Sequence, residues 1–204
     1  MLRNLFVFFF GIACLGGAVA GAQTTNPDPA LRPPAGARVA VIEFADLECP
    51  RCGKENPGLR DATARHHVAW VRHDFPLSMH VWSFPAAVNA RWFDTKSKKM
   101  GDDYRDAVFA NQNNIESQDA LRTFTEKFAK EHGVALPFAI DPQNKLSDLV
   151  KADYTLGTRL GVHATPTLWI VTSQPGANPK LVDLRDMAHL DRMLDAAAAS
   201  VGGK

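Results

Sequence analysis

Four residues restrict this chain more than any others: Cys49-Pro50-Arg51-Cys52, four residues beyond the short apolar run Val39-Ala40-Val41-Ile42-Glu43-Phe44. That run is β-type and apolar on both faces apart from Glu43, the pattern of a strand covered on both sides. From Cys49 to about Arg65 no comparable β-branched run occurs, Pro50 suits a first helical turn and Pro57 bends rather than ends a helix, so a helix is predicted there. The first cysteine then falls at a strand-to-helix junction. Unpaired amides and the positive end of the helix macrodipole face that position and favour a thiolate. Such surroundings, with Arg51 adding a permanent positive charge, lower a cysteine pKa by about one to five units from ~8.5. A stabilised thiolate is also a good leaving group, which makes the corresponding disulfide an oxidant towards other thiols. Glu48, immediately before Cys49, opposes the effect to a degree set by its orientation.

The address of the chain limits what these cysteines can mean. Arg3, the apolar stretch Leu5 to Ala13 and the small-residue site Ala20-Gly21-Ala22 read as a signal peptide over residues 1–22, with a periplasmic or secreted destination. Two other readings stay open: Leu5 to Ala22 retained as a membrane anchor, and Gly11-Ile12-Ala13-Cys14 as a lipoprotein-type box. Cleavage near Ala22 removes Cys14 and one of the 23 basic residues, leaving 22 basic against 22 acidic, a balance that argues against nucleic acid as partner. Cys49 and Cys52 alone remain. A structural disulfide framework uses cysteines far apart, because closing a longer loop removes more entropy from the unfolded chain. This pair closes almost none, so its value is reactivity.

Residues 23–37, with Pro27, Pro29, Pro33, Pro34 and Gly36, read as an exposed lead-in, and one domain is expected over 38–204. A second strand is predicted at His67 to Phe75. From about His80 to His132 the pattern is helical, with Ala86, Ala87, Ala90 and Trp92 in one segment and Leu121, Phe124 and Phe128 in another. A further helix is expected across Asp141 to Tyr154. Thr165 to Val171 reads as a strand with Pro166 at its entrance, where a missing amide hydrogen does least harm, and Lys180 to Leu184 as its hairpin partner. Met187, Leu190, Leu194 and Ala197 share one face of a last helix. Strands at both ends with helices between give an α/β fold with a helical insertion at about 78–156.

The segment Ile42 to Cys52 resembles the active-site strand and helix start of the bacterial DsbA-like thiol-disulfide oxidoreductases. Phe75-Pro76-Leu77 followed by His80 and the Ala86-Ala87 helix is similar to that family's next stretch, and Leu160 to Thr167 is similar to its loop carrying a cis-proline. The resemblance implies a thioredoxin-like fold, Cys49 as exposed nucleophile, Cys52 as buried resolving thiol, and Thr165-Pro166, with His163 nearby, docking substrate backbone. It implies reduced or unfolded client proteins as partners, a membrane redox partner if the chain is a net oxidant, and no metal or organic cofactor. Glu43, six residues before Cys49, stands where the family often places a buried acid. Desolvation raises the pKa of such a carboxyl, suiting it to pass a proton to or from Cys52. Two departures bear on direction: Arg51 stands in a dipeptide often Pro-His in the family and keeps its proton, and Thr165 also occurs in isomerase-like relatives.

Other classes remain to be weighed. Cys49, Cys52, His67 and His73 fall within the spacing of a two-Cys two-His zinc site, although His67 to Phe75 reads as a strand rather than a finger helix. A non-catalytic binding module of the same fold, and a disulfide isomerase or reductase, are the remaining alternatives. His66, His67 and His73 read as solvated or strand-face residues, and Trp70, Trp82, Trp92 and Trp169 as core or groove-lining positions.

Overall fold

The computed structural model describes residues 28–182 and 187–202. The signal peptide expected at 1–22, the first part of the lead-in, and the end of the Lys180–Leu184 hairpin partner lie outside those residues. Among the described residues four strands order as β2-β1-β3-β4, with β1 at Val39–Ala45, β2 at Ala69–Asp74, β3 at Thr167–Thr172 and β4 at Lys180–Leu181. β2 runs parallel to β1, whereas β3 runs antiparallel to β1 and β4 to β3. β1 is therefore central, as its two-faced apolarity predicts, and all its residues but Ala45 are buried.

Six helices among the described residues accompany the sheet: α1 Pro50–Arg65, α2 Ser83–Asp94, α3 Lys98–Ala110, α4 Gln118–Glu131, α5 Lys145–Arg159 and α6 Met187–Gly202. Alternation along β1 sorts its neighbours. Val39 and Val41 pack with Leu59 and Ala62 of α1 and Leu190, Leu194 and Ala197 of α6. Ala40, Ile42 and Phe44 face the other way, onto Phe75, Val162, Leu156 and Leu160. The close approach of α5 to this second face requires Gly157, where a Cβ would come within 2.8 Å of both Phe75 and Phe44. Glu43, being odd-numbered like Val39 and Val41, points to the α1 side.

Of the four helices that connect β2 to β3, α2, α3 and α4 bury their own apolar cluster, in which Phe93, Tyr104 and Phe128 stack or meet edge to face. Cys49, Cys52 and Leu47 belong to this same cluster. The cysteine pair thus sits at the seam between the sheet and the helical insertion.

The predicted helical span of His80 to His132 resolves into three helices, of which the first starts at Ser83. Residues 76–82 form a loop instead. The helix expected across Asp141 begins four residues later, because Pro142 to Asn144 make a turn with Asn144 at φ 57° and the Asp141 carboxylate accepts from the Leu146 and Ser147 amides of the new helix. Its other end runs past Tyr154 to Arg159. Pro57 lies inside α1 without ending it.

Candidate active site

Cys49 is the residue before the first turn of α1, with extended backbone dihedrals and Pro50 at the first helical position. Its carbonyl already accepts the Gly53 amide at 3.2 Å, so the helix is closed behind it. Both cysteines are free thiols. Cys49, expected as the exposed member of the pair, is itself buried at 7% exposure, because it packs into the seam against the insertion, and Cys52 is fully buried. The register of β3 against β1 pairs Thr167 with Phe44, so the residues before Thr167 are carried to the end of β1 where the Cys49 turn begins. Thr165-Pro166 is a cis peptide there. The Cys49 Sγ donates to the Thr165 carbonyl at 3.4 Å. The Thr165 hydroxyl is buried and has no other hydrogen-bond partner among the described residues, which leaves it free to donate to the same sulfur once that is ionised.

The two sulfurs are held at opposite ends of the proton scale. Cys49 is lowered from 9.0 to about 5, first by the thiol of Cys52 donating to it, then, against its own burial, by the Thr165 hydroxyl and the amides of Cys52 and Arg51. Cys52 is pushed well above its ordinary value by burial, by its bond to Cys49 and by the nearby Glu43 charge. Arg51 plays a different part from the electrostatic one that its charge suggests. Its side chain is exposed, and the group it brings to the Cys49 sulfur is its backbone amide, not its guanidinium.

Glu43 is 1% exposed on the α1 face of β1. Burial raises its pKa from 4.5 to about 7, against the pull of Arg72 and of the Trp70 indole, whose Nε1 donates to its carboxylate at 2.9 Å. Arg72, in register with Glu43 on β2, pairs at 2.7 Å with Asp102 and lies over the Trp70 ring at 4.3 Å. His163 is exposed in the loop before Thr165, and Pro166 is half-buried.

Three supporting residues are not evident from the sequence motifs. The buried Asp46 carboxylate accepts from the Glu48 amide at 2.7 Å and the Ser83 hydroxyl at 2.5 Å on one oxygen. The other oxygen takes the Leu77 amide at 2.7 Å and lies 2.7 Å from His80 Nδ1. Glu48 turns its carboxylate to the start of α2, where it accepts from the Trp82 amide at 2.6 Å. Gln112, in a short 3-10 turn at Gln112–Asn114, donates to the carbonyls of Leu47 and Cys49. Asp46 and Glu48 stand in the segment that carries the family resemblance, but no motif names their partners, and Gln112 stands in no motif at all.

The histidines are spread out. His66 pairs with Asp191, His67 sits in a turn at φ 51°, and His73 stacks on Phe44 while meeting Asp153 at 2.7 Å. Among the described residues no three His, Cys, Asp or Glu side chains are grouped to hold a metal ion.

A cysteine pair opening a helix after the central strand, faced by a cis-proline loop on a mixed four-stranded sheet, defines a thioredoxin-like protein. The chain belongs to the thioredoxin family, whose model matches residues 34–187. The fold is the DsbA-like form. Alpha-DsbA1 of Wolbachia pipientis superposes with a TM-score of 0.67 at 16% identity, over 86% of this chain and 93% of its own. DsbA2 of Pseudomonas aeruginosa does so with a TM-score of 0.57 at 24% identity, over 83% and 92%. A periplasmic thioredoxin-like protein of Salmonella enterica serovar Typhimurium gives 0.61 at 16% identity, over 85% and 92%. No curated protein sequence matches the chain.

Proposed function

We propose that this protein is an exported thiol-disulfide oxidoreductase that donates disulfides to reduced client proteins through Cys49 and Cys52. The observation that carries the reading is the asymmetry of the pair: the Cys49 thiol is drawn down to about 5 while that of Cys52 is driven up. A low-pKa first sulfur stabilises the reduced protein, and whatever stabilises the reduced form makes the disulfide a stronger oxidant.

In the oxidised protein a client thiolate attacks the Cys49 sulfur. The Cys49–Cys52 bond breaks, and its electron pair leaves on Cys52. Buried beside a carboxyl poised near neutrality, that sulfur takes a proton, and Glu43 is the group assigned to supply it. A second client thiolate then attacks the client's own sulfur in the mixed disulfide and releases Cys49 as the stabilised thiolate. The two electrons end on the protein, and a membrane redox partner is the acceptor that restores the disulfide. Thr165 and Pro166 line the approach to Cys49, and His163 stands exposed on the same loop. Export rests on the reading of residues 1–22; among the described residues no helix is long and apolar enough to cross a membrane.

The deciding measurement is the reduction potential of the Cys49/Cys52 couple against glutathione. A value near about −120 mV is expected for a disulfide donor, and one near about −270 mV, the thioredoxin range, would reassign the chain as a reductase. If the pair neither reduces insulin nor supports oxidative refolding, the chain is a binding module.

A further inference from the structure

Gln112 belongs to no element of the sheet and carries no group that exchanges electrons, yet the helical insertion delivers its side chain to the backbone of the nucleophile. Its Nε2 donates to Leu47 O at 2.8 Å and to Cys49 O at 3.0 Å. Both carbonyls belong to residues of the buried cluster at the seam, and that of Cys49 takes the Gln112 amide in addition to the Gly53 amide. Gly53, one turn into α1, carries the second mark of the same contact. A Cβ there would lie within 2.9 Å of both the Oε1 and the Cδ of Gln112. The amide of Gln112 therefore lies flat against the start of the redox helix, a position open to it because residue 53 has no side chain.

We infer that Gln112 is a positioning residue for the thiol chemistry: it pins the Leu47–Cys49 turn, and through that turn it sets the Cys49 sulfur against the donors that hold it as thiolate. The amides acting on that sulfur, those of Arg51 and Cys52, follow the Cys49 carbonyl by two and three residues. Displacing the carbonyl rotates the Cys49 peptide relative to both. It also moves the sulfur relative to Thr165, which the sheet holds independently. The same contact makes the redox centre sensitive to the insertion, since Gln112 opens the 3-10 turn one residue beyond α3. The inference deepens the proposed function without depending on which way electrons flow.

Gln112→Met tests it, because methionine keeps the length and the packing and removes both donors. Cys49 alkylation by iodoacetamide, followed across pH, is the readout, with the protein reduced and no client present. The titration of Cys49 is expected to move upward from about 5, and its alkylation rate at pH 4, below that value, to fall about three- to tenfold, the equivalent of losing hydrogen bonds of ordinary strength. Gly53→Ala supplies a second, independent test. Alone it pushes the Gln112 amide off the two carbonyls and is expected to reproduce the Gln112→Met titration. Combined with Gln112→Ala it meets no obstacle, so it adds no further change to the titration. An unchanged Cys49 titration in Gln112→Met, or a Gly53→Ala effect of equal size in both backgrounds, overturns the inference. The wild-type insulin and refolding assays decide the proposed function separately, because alkylation needs no catalytic turnover.

Discussion

Glu43 and Asp46 lie three residues apart at the end of β1, and both are buried, yet the protein treats them in opposite ways. Asp46 is surrounded by donors from three places: the turn before Cys49, the loop at residues 77–80 and the first residue of α2. Glu43 has the Trp70 indole as its direct donor, with the Arg72 charge shared among Asp102, Asp106 and Asn56. The well-supplied acid is a structural node. The poorly supplied one retains affinity for a proton, and its pKa rises to about 7. Burial raises the proton affinity of a carboxyl where its donors are too few to offset the lost solvent.

The strongest way to break this contrast is Asp46→Ala. It leaves two partly buried amides, a hydroxyl and an imidazole without their common acceptor, and it is expected to cost about 3–5 kcal/mol in urea denaturation. A cost below about 1 kcal/mol would dissolve the distinction between the two acids.

Glu43→Gln should act with the opposite sign. Because the folded pKa of Glu43 is raised from 4.5 to about 7, the native chain binds more protons than the unfolded one between those values. The stability associated with the neutral acid is present in full below pH 4.5 and is lost as the pH climbs through 7. The glutamine variant is therefore expected to match wild type below pH 4.5 and to exceed it above pH 7, by on the order of 2–3 kcal/mol. The Cys49 contribution cancels in that difference. If the gain is pH-independent, Glu43 does not titrate as described.

Arg51→Gln is expected to have the smallest effect. The guanidinium is exposed, where charges contribute about 0–1 kcal/mol, so the pH 4 alkylation rate of Cys49 should change less than about fivefold. A larger fall would restore to the side chain the electrostatic part that the amides carry.

Much of this site can be read from the amino-acid sequence. The apolar run at Val39 to Phe44, the cysteines after it and Pro166 before a β-branched run are local signals, and each falls where expected. Glu43 is legible for the same reason, as one polar residue in an apolar strand. Arg51 misleads because a charge in a sequence has a sign but no direction. Asp46 and Gln112 are opaque because their meaning lies in partners far along the chain, such as Ser83 for one and Leu47 for the other. The start of α5 departs from its expected place because Asp141 acts as a cap from four residues upstream.

The antiparallel pairing of β3 with β1 works as a ruler for the chemistry at its end. Leu168 and Ile170 fit the α1 and α6 side of the sheet, so a slip of one residue would turn both out of their layer. The same slip would carry Thr165 about 3.3 Å along the strand axis, further than its contact with the Cys49 sulfur can stretch. The aliphatic side chains of an inner strand thereby calibrate how near a carbonyl and a hydroxyl stand to the nucleophile.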